Sequence, residues 1–126
     1  MKYIEAANQI NALLRDEPDD LVAGGAMYLA CEAWKQLAGS DIAWDRFGLE
    51  LLDVRARHYS DHQDVTVDAE GPVRDDAETR LAVTDMVEQL ARYHQRCAVD
   101  GRLGLAGRLS HDAAAQQLRR AAAALG

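Results

Sequence analysis

The chain has 126 residues, a size that fits one domain, and its 48% hydrophobic content is enough for one core without disulfides or metal. A net charge of −7 argues against a general nucleic-acid coat, because phosphate binding rests on Lys and Arg. The charge is uneven: residues 1–78 hold 17 acids and 7 bases, whereas residues 79–126 hold 4 acids and 7 bases. A basic final third on an acidic body favours contact within the chain or between copies of it.

Tyr3 to Arg15 carries Ile4, Ala7, Ile10 and Leu14 at helical spacing, and Asp16-Glu17-Pro18 ends that helix. Leu21 to Leu37 has no charged residue before Glu32. A helix apolar on nearly all sides is one that other helices wrap, and this run is too short to cross a bilayer. Asp19 or Asp20 caps it, and Gly39 closes it.

A third helix is expected from Ile42 or Asp45 to Tyr59, with Trp44, Phe47, Leu51, Val54 and His58 on one face. Residues 60–76 form an acidic loop in which Val65-Thr66-Val67 alternates weakly, as a short extended piece would. A fourth helix is predicted over Asp75–Ala98, opened by a capping box of Asp75 and Glu78. Its stripe is Leu81, Thr84, Val87, Leu90, His94 and Cys97, widened by Val83, Met86 and Ala91.

The last helix is expected from about Leu109 to Leu125. Its face of Ala114, Leu118, Ala122 and Leu125 is shallow, so residues 108–126 are expected to pack loosely or to dock on a partner. The fold class is therefore all-α: one domain over 1–126, a bundle of four to five helices around the central Leu21–Leu37 helix.

Cys31 and Cys97 lack CxxC spacing, so neither a disulfide nor a thiolate zinc site is indicated, and both read as buried free thiols in a reducing compartment. The opening MKYIEAANQINALL has no hydrophobic signal core, which leads to the expectation of a cytoplasmic protein. His58 and His62 stand at i,i+4, but two ligands do not make a site. His94 reads as a hydrogen-bonded residue at the edge of the core, and His111 as an exposed residue in the first turn of the last helix. Glu50/Asp53 and Asp85/Glu88 are carboxylate pairs at i,i+3; opposed across a bundle they would suit Mg²⁺, but a charged outer face is the simpler reading. No phosphate loop, dinucleotide fingerprint or nucleophile elbow is present, so no cofactor and no metal is expected.

The segment Arg55-Ala56-Arg57-His58-Tyr59-Ser60-Asp61-His62 leaves four residues between Arg57 and His62 and six between Arg55 and His62. It resembles the R-x4–6-H pattern of HEPN domains, small all-α proteins that include metal-independent ribonucleases and nucleotide-binding toxin and antitoxin partners. The resemblance extends over Ala26–Leu90: Leu52, Arg55 and Tyr59 are similar to an L-x-x-R-x-x-x-Y run of one subgroup, and Val65-Thr66-Val67 to its valine-containing loop. It implies Arg55, Arg57 and His62 as the active residues with Tyr59 in support. A His there moves the ribose 2′-hydroxyl proton while an Arg steadies the phosphate.

The leading expectation is different: a small acidic helical interaction module, such as an adaptor, inhibitor or assembly factor, that associates with itself or another protein through the last helix. Leu109, Leu118, Leu125, Arg119 and Arg120 are the expected contact residues. RNA enters as a partner only under the HEPN-like alternative, and no membrane is involved.

Overall fold

Five helices and one short turn account for the regular structure of the computed structural model, which describes residues 1–62 and 65–126, with the His62 side chain outside the description. They are α1 (Tyr3–Asp16), α2 (Asp20–Leu37), α3 (Ile42–His58), a 3₁₀ turn (Ser60–His62), α4 (Ala77–Ala98) and α5 (Leu105–Leu125). The all-α bundle expected from periodicity is what forms.

Three helices start on aspartate caps. Asp19 accepts from the Val22 amide at 2.8 Å, Asp41 from Ala43 at 3.0 Å and Asp76 from Thr79 at 2.8 Å. Each cap satisfies an amide that the helix itself leaves unpaired. Asp76 caps α4, one residue later than the predicted Asp75, because Asp75 instead binds the Arg80 guanidinium at 2.7 and 3.0 Å. Gly39 lies at φ +84°, the left-handed conformation in which a side chain is strained, and so closes the α2 end as expected.

α2 packs against α1, α3 and α4, and α4 packs against α1, α2 and α5. Trp44, Phe47, Leu51 and Val54 on α3 are fully buried, as their spacing predicts. The rings of Trp44 and Phe47 meet edge to face at 5.4 Å. α2 and α3 approach closely at Gly48, where an added Cβ would lie 2.0 Å from Trp34 Nε1.

Most of the expected α4 stripe is buried: Val83, Met86, Val87, Leu90, Ala91 and His94 face the core, while Leu81 is 72% exposed and Thr84 and Cys97 are half-buried. Asn11 and Gln89 are buried between α1 and α4. Asn11 Nδ2 donates to the Ala82 carbonyl at 3.2 Å, and Gln89 Nε2 donates to the Asn11 carbonyl at 3.0 Å. Neither residue stands out in an apolar count.

α5 begins at Leu105, four residues before the expected start, behind Gly104 as its N-cap. Its small face is spent inside the bundle. Ala114, Ala115, Leu118, Ala121, Ala122 and Leu125 are buried against α3 and α4. This corrects the expectation that Leu118 and Leu125 are contact residues for a partner, since alanines let helices come close and leave the two leucines no exposed surface. Arg120 binds Glu50 at 3.1 and 3.3 Å, and Arg119 donates to Gln95. Leu109 alone of the three leucines stays exposed, at 60%.

Val65-Thr66-Val67 forms no strand. The one β-type pairing among the described residues is an isolated parallel bridge between Lys2 and Glu70. The connection is tied to α2 by the Val73 amide, which donates to Gln36 Oε1 at 2.7 Å. Among the described residues, no helix is long and apolar enough to cross a membrane.

A three-histidine candidate metal centre

α3, α4 and α5 each deliver one imidazole to the same place. His58 is the last residue of α3, His94 lies on the buried face of α4, and His111 stands in the second turn of α5. The ring centroids are 4.9 Å apart for His58 and His94, 4.8 Å for His58 and His111, and 5.1 Å for His94 and His111. One ring nitrogen from each lies within 4.8 Å of the other two.

His94 is 1% exposed and uses both nitrogens. Nε2 meets the Tyr59 hydroxyl at 2.7 Å, and Nδ1 meets His111 Nδ1 at 2.9 Å. His58 Nε2 lies 3.1 Å from Ser110 Oγ. The Tyr93 ring packs edge-on against His94, and its hydroxyl donates to Asp20 Oδ1. A cavity of about 40 Å³ opens among these groups, lined by Asp20, Ala23, the three histidines and the two tyrosines. Such a volume holds an ion or a few waters.

All three rings are neutral at pH 7. Burial pushes His94 down to about 3, with His58 and His111 adding to the shift. Burial also lowers His58, assisted by His111, and lowers His111, against an opposing pull from the Asp20 carboxylate. The Tyr59 phenol is raised by burial and stays protonated. A neutral imidazole keeps one lone pair, so each ring retains a donor for a metal.

The hydrogen bonds allow a consistent tautomer. With the proton on His94 Nε2 and directed at the Tyr59 oxygen, His94 Nδ1 carries the lone pair that now accepts from His111. Metal ligation needs that same His94 tautomer, with the outer nitrogen held by a polar partner. His111 then moves its proton from Nδ1 to Nε2.

At metal–nitrogen bonds of about 2.0–2.1 Å, neighbouring ligand nitrogens stand about 2.9–3.4 Å apart and opposed ones at most about 4.2 Å. The 2.9 Å His94–His111 separation already fits. The three nitrogens lie within 4.8 Å of one another, wider than the spacing of about 3.4 Å in a four-coordinate site, so the rings would have to close in on an ion to bind it.

Of the residues that the HEPN resemblance implies, Tyr59 is the one among the described side chains that lines this cavity. Tyr59 is buried with its hydroxyl on His94. Arg57 is bound to Asp53 at 2.9 Å and donates to Gln117, as the i,i+4 pair predicts for a solvated face. Arg55 is exposed on the rim of a cleft shared with Lys35, Glu32 and Val65. The His62 side chain lies outside the described residues, so its separation from the two arginines does too.

His58 turns to His94 and His111, and His111 is half-buried in a second turn, which corrects its expected place as an exposed first-turn residue. The two carboxylate pairs do not oppose each other. Glu50 and Asp53 face α5, where they hold Arg120 and Gln117, and Asp85 and Glu88 line a groove with Asn8 and Asn11 of α1. Cys31 and Cys97 are free thiols, the first buried and the second half-buried.

Helical spacing cannot find a cluster drawn from positions 58, 94 and 111. One signal was present nonetheless. His58 and His94 both fall on core faces, and a polar residue on a core face needs a buried partner. Comparison with protein-family models, curated proteins and solved structures finds no match for this chain.

Proposed function

We propose that this chain is a transition-metal-binding helical domain that holds one ion through His58, His94 and His111. The observation that carries the reading is the convergence of three neutral imidazole nitrogens, from three different helices, within 4.8 Å. Imidazole donors suit Zn²⁺, Ni²⁺, Cu²⁺ and Fe²⁺ and do not suit Mg²⁺ or Ca²⁺. An ion there would join α3, α4 and α5, so binding and stability would rise together.

The test is a titration of metal-stripped protein with Zn²⁺ and, separately, Mg²⁺, read by calorimetry and thermal melting. One Zn²⁺ per chain and a raised Tm are expected, with no response to Mg²⁺. His111→Ala removes a half-buried ring from the rim and should abolish both effects. Zn²⁺ that stays substoichiometric, or that binds His111→Ala equally well, would overturn the reading.

A second reading keeps the interaction module and moves its surface. Val99, Leu105 and Leu109 are 71%, 72% and 60% exposed around the turn from α4 to α5. Apolar side chains gathered at one corner commonly mark a contact surface. The occupant we assign is a second copy of this chain, in keeping with the opposite charge of its two parts. Leu105→Asp with Leu109→Asp should then lower the solution mass to that of a monomer. A wild-type chain that is already monomeric at high concentration removes this reading.

A further inference from the structure

We infer that Asp20 supplies a fourth ligand from α2, which makes the centre a closed three-histidine, one-carboxylate site; this rests on the metal-binding reading above. Asp20 is the one carboxylate among the residues that line the 40 Å³ cavity. The preceding Asp19 caps α2 through the Val22 amide, so Asp20 is not the cap. The Tyr93 hydroxyl donates to Asp20 Oδ1, and no hydrogen bond among the described residues holds Oδ2. A phenol that fixes one oxygen of a carboxylate orients the other, as outer partners of metal ligands do. Ala23, one turn further along α2, lines the same cavity and takes up little of it.

Charge points the same way. Three neutral imidazoles leave a divalent ion with its full charge in a half-buried setting, where an unpaired charge is costly. A carboxylate among the ligands offsets that charge. The ion would then join α2, α3, α4 and α5 and leave α1 outside the linkage.

Co²⁺ serves as the probe, because its visible absorption reports coordination number, with azide added as a small exogenous ligand. The wild type is expected to give a four-coordinate spectrum that azide does not change. Asp20→Ala should bind Co²⁺ about 100-fold more weakly and become azide-sensitive. Tyr93→Phe keeps the ring and removes the orienting hydroxyl, with an expected loss of about 10-fold; it reads the same geometry if Asp20→Ala disturbs the start of α2. A wild-type spectrum that shifts with azide, together with unchanged affinity in Asp20→Ala and Tyr93→Phe, would overturn the fourth ligand and leave the three-histidine site standing. Wild-type protein that binds no Co²⁺ would instead remove both.

Discussion

α4 buries polar side chains on two of its faces, and the two faces solve the problem in opposite ways. Toward α1, Asn11 and Gln89 send their amides to main-chain carbonyls. Toward α3 and α5, His94 finds a phenol and another imidazole. A side chain bonded to the backbone fixes the register of two helices and has little freedom to do anything else. Side chains bonded to one another can exchange partners without moving the main chain. The first face is therefore a lock between helices, and the second has the capacity to accept a ligand.

The largest effect that would sharpen this contrast is on α5. Leu118 is the one bulky side chain amid the buried alanines of its middle turns, and Leu118→Ala should cost about 3–4 kcal/mol in denaturant unfolding. If α5 is joined to the ion, added Zn²⁺ recovers part of that loss. Leu14→Ala, a similar truncation in α1, should show a smaller gain from Zn²⁺, because α1 brings no ligand. Equal recovery in the two variants would break the distinction.

Asn11→Asp probes the lock. It keeps the shape but places a carboxylate where Nδ2 now donates to the Ala82 carbonyl, and it should cost about 3 kcal/mol. The effect should be insensitive to metal. A substitution that proved neutral would show that this face tolerates a change of partner as readily as the other.

Acid should act on the histidine face. The His94 pKa falls from an ordinary value of 6.5 to about 3 on folding, so the unfolded chain takes up the proton more readily. Its stabilising contribution is complete above pH 6.5 and is lost as the pH falls toward 3. Metal-free protein should lose about 2 kcal/mol between pH 7 and pH 5 from this group. Thermal melts across that range read the loss. Stability that is flat from pH 7 to pH 5 would mean that the ring is more hydrated than its burial indicates.

The smallest effect is expected outside both faces. Arg57 and Asp53 form an exposed pair, and Arg57→Ala should leave Tm unchanged within error. A clear loss would identify Arg57 as part of something the two buried faces do not explain.

How far the sequence revealed these faces follows from the range of the interactions. Helix identity is local, so an aspartate cap on α2 at Asp19 or Asp20, the Gly39 stop and the α3 core face were legible. The buried amide contacts between α1 and α4 were not, because Asn11 stands 71 positions before its acceptor at Ala82. The start of α5 was misplaced because Leu105-Ala106-Gly107-Arg108 reads as a turn until the rest of the helix is packed. That shift of one turn carried His111 from an exposed position into the cluster. The basic end of α3 was legible as a charged surface, and Arg57 behaves as one.

The contact between Gly48 and Trp34 has a consequence for anyone who would transplant or redesign the histidine cluster. With the indole of Trp34 against the glycine, α3 comes closer to α2 at that point than any side chain would allow. His58 lies ten residues further along, about 15 Å at the helical rise. A rigid rod pinned at its middle aims its tip. Grafting the three histidines onto another bundle without that pivot would reproduce the ligands and lose their convergence.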